Sequence, residues 1–232
     1  MKLPKWILSA VLAMSCASVF AEDIKPSEAH YELSRGAITL GEARFNLKAA
    51  EGKDCWSYEY VAKPSGLARL FIGTVTEHSN FCLVDGVVRS QNFSFNREDK
   101  KEDNFKLDFN WNDKMVRSSG GEIRKLEDGM IDRLAMQYAV QKWVMARGGE
   151  PGADEISLTK VEDDRLKTYT FRVTAKEQIE TPAGTFETIR VERVDDPKKS
   201  TRFWLTPSRN YLAVKVEQVK KGSEQVKMLL KN

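Results

Sequence analysis

The sequence predicts a mainly β chain: one strongly curved antiparallel meander sheet, with one main α-helix over about residues 130–146 packed against its concave side. Three observations carry that expectation. Apolar and polar side chains alternate with period two in run after run, turn residues separate the runs at hairpin spacing, and a single segment shows helical spacing instead. Consecutive hairpins build an antiparallel meander. A sheet of many strands curls or closes rather than staying flat.

The elements follow in chain order. "CWSYEYVAK" puts Trp56, Tyr58 and Tyr60 on one face, after the turn "EGKD". A short helix fits "SGLARLF" (Ser65 to Phe71). Asp85-Gly86 divides "FCLV" from the run that places Phe93 and Phe95 together, and Asp-Gly between alternating runs is a strong hairpin cue. "NREDKKED" (Asn96 to Asp103) has the charge of a solvated hairpin tip. In "KLDFNW" the apolar Leu107, Phe109 and Trp111 oppose Lys106, Asp108 and Asn110, and Asn112-Asp113 then turns the chain. Ile131, Leu134, Ala135, Tyr138 and Ala139 follow at helical spacing. Asp128 fits the N-cap of that helix, and Gly148-Gly149 with Pro151 end it. "TYTFRVTAK" aligns Tyr169, Phe171, Val173 and Ala175. "TPAGTF" turns into a strand carrying Ile189 and Val191, and Lys221-Gly222 divides the last two runs.

The first residues have the layout of a secretory signal peptide. Lys2 and Lys5 supply positive charge, an apolar stretch follows from Trp6 to about Met14, and the small Val19 and Ala21 predict cleavage after Ala21. The stretch is shorter than the ~20 residues a membrane span needs. The alternatives are an uncleaved anchor or a lipoprotein acylated at Cys16, although "AMS" lacks the upstream leucine of a lipoprotein motif. Residues 1–21 are therefore read as the leader and residues 22–232 as one exported domain, read as a monomer with no membrane span. Lys2 and Lys5 take with them two of the three net positive charges. The near-neutral remainder has no global attraction for nucleic acid or acidic lipid. Cys55 and Cys82 are left, an even number in an oxidising compartment. A disulfide between them would stabilise by about 3–4 kcal/mol in the chain-entropy model, and two buried free thiols are the alternative.

Several stretches, taken in order, are familiar: "YELSRGAITLGEARFNL" (Tyr31 to Leu47), "YVAKPSGLARLF", "IETPAGTFETIRVERV" (Ile179 to Val194) and "TRFWLTPSRNYLAVKVE" (Thr201 to Glu217). Together they resemble the DUF3108 family of exported bacterial proteins. Ala213 departs from the pattern, standing where a proline is expected. The resemblance spans nearly all of the chain beyond the leader. It implies an incomplete β-barrel in a Gram-negative periplasm, similar in shape to periplasmic lipoprotein carriers, and it implies no activity and no catalytic residues.

The chemistry of the sequence is sparse. His30 and His78 are the two histidines, and no metal-binding spacing links them to each other or to the cysteines. No nucleophile elbow and no phosphate loop are present. No cofactor and no enzyme activity are expected, and a hydrolase stands third among the readings. The first is a carrier or sensor of a lipid-like ligand. Its apolar cavity would draw on Leu107, Phe109, Trp111, Phe93, Phe95, Tyr138, Tyr169, Phe171, Phe203 and Trp204. The alternative for those side chains is ordinary core. The second reading is an envelope-assembly or scaffold protein that works through protein contacts at an exposed strand edge.

Overall fold

The alternating runs become the strands of one sheet in the computed structural model, which describes residues 25–232. The predicted leader, with Cys16, lies outside the described residues. The elements are β1 (Ser27–Arg35), β2 (Ile38–Ala49), β3 (Cys55–Pro64), β4 (Val75–Val84), β5 (Val87–Arg97), β6 (Phe105–Asn110), β7 (Met115–Ser118), β8 (Ile123–Lys125), β9 (Met130–Ile131), α1 (Arg133–Ala146), β10 (Glu155–Val161), β11 (Leu166–Thr181), β12 (Gly184–Arg193), β13 (Lys199–Thr206), β14 (Leu212–Lys220) and β15 (Ser223–Leu230). A short 3-10 helix, Gly66–Leu70, lies where the sequence predicts one.

The sheet has two arms that meet at β1 and β15, where Tyr31 pairs with Leu230. One arm runs outward from β1 to β8 and the other from β15 back to β9. Every neighbouring pair is antiparallel except β9 on β10. The predicted turns hold: Asp85 and Gly86 both take positive φ, as do Lys221 and Gly222, which matches the right-handed twist of the hairpins they close. Cys55 and Cys82 face each other across β3 and β4 and form a disulfide.

The arms curl around α1. One buried cluster joins Leu47 and Phe81 of the first arm, Tyr138 and Val144 of the helix, and Phe171, Val191 and Leu205 of the second arm. These strands are far apart in the ladder, so only a rolled sheet brings them together. The two outer edges meet through side chains rather than a ladder. Arg124 of β8 donates to the carbonyl of Asp163 in the β10–β11 turn at 2.9 Å, and Ser118 bonds the Asp163 carboxylate. The result is a barrel with an unzipped seam.

The helix begins later than its sequence pattern suggests. Its N-cap is Asp132, not Asp128: the Asp132 carboxylate accepts from the amides of Leu134 (2.9 Å) and Ala135 (3.0 Å). Met130 and Ile131 are claimed by β9, because pairing with Thr159 and Lys160 satisfies their backbone in extended form. Gly148 and Gly149, both left-handed, end the helix after the Arg147 cap, and a β-carbon on Gly149 would collide with Ile189.

Candidate functional site

Antiparallel order puts alternate turns at one end of the barrel. The β3–β4, β5–β6, β10–β11, β12–β13 and β14–β15 turns share that end, and the N-terminus of α1 points toward it. Toward this mouth the inward-facing positions of the second arm change character in step. On β11 they run Val173, Phe171, Tyr169, Lys167; on β12, Ile189, Val191, Arg193; on β13, Phe203, Thr201, Lys199. Each strand passes from aliphatic or aromatic to cationic.

Between this face and α1 lies a trough. Its outer part has a volume of about 320 Å³ and is lined by Arg133, Met136, Gln137 and Val140 of the helix, with Lys160, Lys167, Tyr169, Phe171, Arg193, Lys199 and Phe203 among the strand residues. Five of its lining side chains are cations and none is a carboxylate. A narrower inner part, about 40 Å³, shares Gln137, Val140, Phe203 and Val216 and continues among Tyr31, Phe45, Tyr58, Leu205 and Leu212. Burial holds the phenols of Tyr31 and Tyr58 above the usual tyrosine range, so both stay neutral donors in an apolar wall. Tyr31 spends its proton on the carbonyl of Ala213 at 2.7 Å.

The trough is open at the top and apolar below. The cations stand around one ring: the Arg193 guanidinium lies 4.3 Å from the centre of Tyr169, with the ammonium groups of Lys160 and Lys167 at 5.1 and 5.2 Å. Lys160 pairs with Glu162 at 2.5 Å and Arg193 with Asp195 at 3.0 Å.

A buried polar latch holds the helix in place beside this trough. Asp132 is fully buried. One of its carboxylate oxygens accepts from Ser79 of β4 (2.8 Å) and Ser90 of β5 (2.5 Å) while the other caps the helix. Next to it, Glu77 of β4 is buried and paired with Arg133 at 2.8 Å. Burial pushes the Glu77 carboxyl above its ordinary 4.5, against the pull of Arg133. A carboxyl raised in the folded state binds its proton more tightly there than in the unfolded chain. Its contribution to stability is therefore complete below pH 4.5 and is lost as pH rises through the raised folded value. Glu77→Gln, neutral at every pH, should make the fall of the urea midpoint above pH 4.5 shallower than in wild type. An unchanged slope would remove Glu77 as its source.

The side chains singled out from sequence divide. Tyr169, Phe171 and Phe203 line the trough. Tyr138 is buried on another side of the helix, against Phe81 (4.7 Å) and Trp56 (5.9 Å). Phe93 and Phe95 line a separate hollow near the seam with Phe105, and the Arg133 guanidinium lies 4.9 Å from the Phe95 ring. Leu107 and Phe109 are buried in the core of the first arm. Trp111 is partly exposed at the opposite end from the mouth, donating to the Ser90 carbonyl at 2.8 Å. Trp204 follows Phe203 and so faces away from the trough, where it donates to Glu177 at 2.8 Å beneath Lys215. The trough cations were missed from sequence, and the signal was present: Lys167 and Arg193 each continue an apolar alternation by one step.

Comparison with known proteins places the fold. Residues 29–231 match the family described as protein of unknown function (DUF3108). A solved structure of a β-barrel-like DUF1849 protein from Brucella abortus is similar at a TM-score of 0.60 and 13% identity, covering 89% of this chain and 96% of that one. A protein with a YmcC-like fold from Bacteroides fragilis aligns at a TM-score of 0.42 and 15% identity, covering 88% of this chain and 93% of that one. No curated protein matches the sequence.

Proposed function

Because this chain belongs to the DUF3108 family of proteins of unknown function, we propose its role from the trough itself: a non-enzymatic carrier or sensor, in the periplasm, for a lipid-like ligand. One observation carries the proposal. A cavity walled by Phe171, Phe203, Val140 and Val216 opens at the barrel mouth and narrows between α1 and the sheet. An acyl chain entering it gains about 0.8 kcal/mol per methylene buried, so affinity requires no reactive group. The leader-like N-terminus supports the compartment, and the Cys55–Cys82 disulfide suits an oxidising one. Among the described residues no helix is long and apolar enough to cross a membrane.

Titration of the mature protein with a fluorescent fatty-acid probe tests this reading. The expected result is saturable one-to-one binding, reversed by unlabelled acyl chains. Absence of binding by folded protein would count against it.

A second reading, envelope assembly through protein contacts, is favoured by a different observation. The segment between β3 and β4 exposes Leu67 (80%), Leu70 (73%) and Phe71 (79%) at the barrel mouth. An apolar cluster this open suits a contact surface.

A further inference from the structure

We propose that the trough holds an amphiphile by an acidic headgroup, a phosphate or carboxylate seated at the mouth between Arg193, Lys160, Lys167 and Lys199 over the Tyr169 ring. The proposal rests on the trough being a lipid site and adds the chemical class of the ligand.

Arg193 is the central observation. It is only 7% exposed and faces inward, in register with Phe171. Its Nε is taken by Asp195, but among the described residues its buried Nη2 has no hydrogen-bond partner. Asp196 forms an ion pair with this same Nη2 at 3.6 Å, too long for a hydrogen bond. A buried guanidinium N–H without an acceptor is costly, and arginine forks match carboxylate and phosphate oxygens. Nη2 is therefore held by charge but lacks a hydrogen-bond acceptor, which a headgroup oxygen would supply.

The charges around it agree. Among the described residues no carboxylate lies within ion-pair distance of the Lys167 or Lys199 ammonium, although both line the same cavity. Two further cations, Lys160 and Arg193, crowd the Tyr169 ring; each has its own carboxylate partner, so the uncompensated charge at the mouth is that of Lys167 and Lys199. An anion at the mouth compensates that charge. The positions are built into inward faces of strands, which makes them better fixed than lysines on loops. The apolar slot begins directly below, at Phe171 and Phe203, where a chain attached to the headgroup would go.

The test compares decyl phosphate, decanoate, decanol and inorganic phosphate as competitors of the fluorescent fatty-acid probe. Wild-type protein should bind the two acidic amphiphiles about tenfold or more tightly than decanol. Arg193→Gln should abolish that preference and leave decanol unchanged. Should Arg193→Gln fail to fold, Lys167→Gln with Lys199→Gln tests the same point, because neither lysine is in an ion pair among the described residues. Equal affinity for decanol and the acids, or a preference that survives both variants, would overturn the headgroup assignment while the trough reading stands. Inorganic phosphate competing as well as decyl phosphate would make the mouth a free-anion site and overturn the assignment to a lipid. No displacement by any amphiphile would remove both readings together.

Discussion

Asp132→Ala is expected to lower the unfolding free energy by about 3–5 kcal/mol. The loss has two parts. The helix forfeits its N-cap, which alone costs about 1 kcal/mol. The hydroxyls of Ser79 and Ser90 and the amides of Leu134 and Ala135 lose their acceptor in a site that water does not reach. Because Asp132 joins β4, β5 and the start of α1, its removal frees the helix from the first arm. Asp132→Asn keeps an acceptor for the helix amides and should cost much less, as should Ser79→Ala alone. Urea unfolding at unchanged slope checks all three. A loss below about 1 kcal/mol for Asp132→Ala would show that the latch is not what fixes the helix.

Val140→Trp should weaken binding of the fatty-acid probe by about a thousandfold. Val140 is buried on α1 and lines both parts of the trough. An indole there fills the passage between them. Excluding about five or six methylenes removes on the order of 4–5 kcal/mol at 0.8 per methylene. Overpacking costs about 1–3 kcal/mol of stability, so circular dichroism and the unfolding midpoint should accompany the titration. Unchanged affinity in a folded variant would place the ligand elsewhere.

The architecture was legible because two periods carry it. Strands such as Phe105–Asn110 and Leu166–Thr181 write their buried face every second residue, and Asp85-Gly86 and Lys221-Gly222 close hairpins by local conformation alone. The start of the helix was less legible. Asp128 and Asp132 are both able caps, and the choice is made by Ser79 and Ser90, which belong to strands distant in sequence. The site was the least legible. Alternation says that Leu107, Phe109 and Phe171 face inward, but not which arm leaves a gap beside the helix. That depends on how the sheet rolls. Lys167 and Arg193 sit in the inward register at the strand ends, where a charge reads from sequence as the point at which burial stops. Only the register of β10, β11 and β12, which pairs Lys160 with Lys167 and Phe171 with Arg193, gathers those ends around Tyr169.

The most direct test of the trough as a ligand site is native mass spectrometry of the protein purified from periplasm without detergent, followed by solvent extraction. The account predicts a stoichiometric amphiphile adduct that is absent from Val140→Trp, with an acidic headgroup in the extract. A clean apo mass that stays unchanged after incubation with lipid extract would contradict it, and would turn attention to protein partners of the exposed Leu67, Leu70 and Phe71.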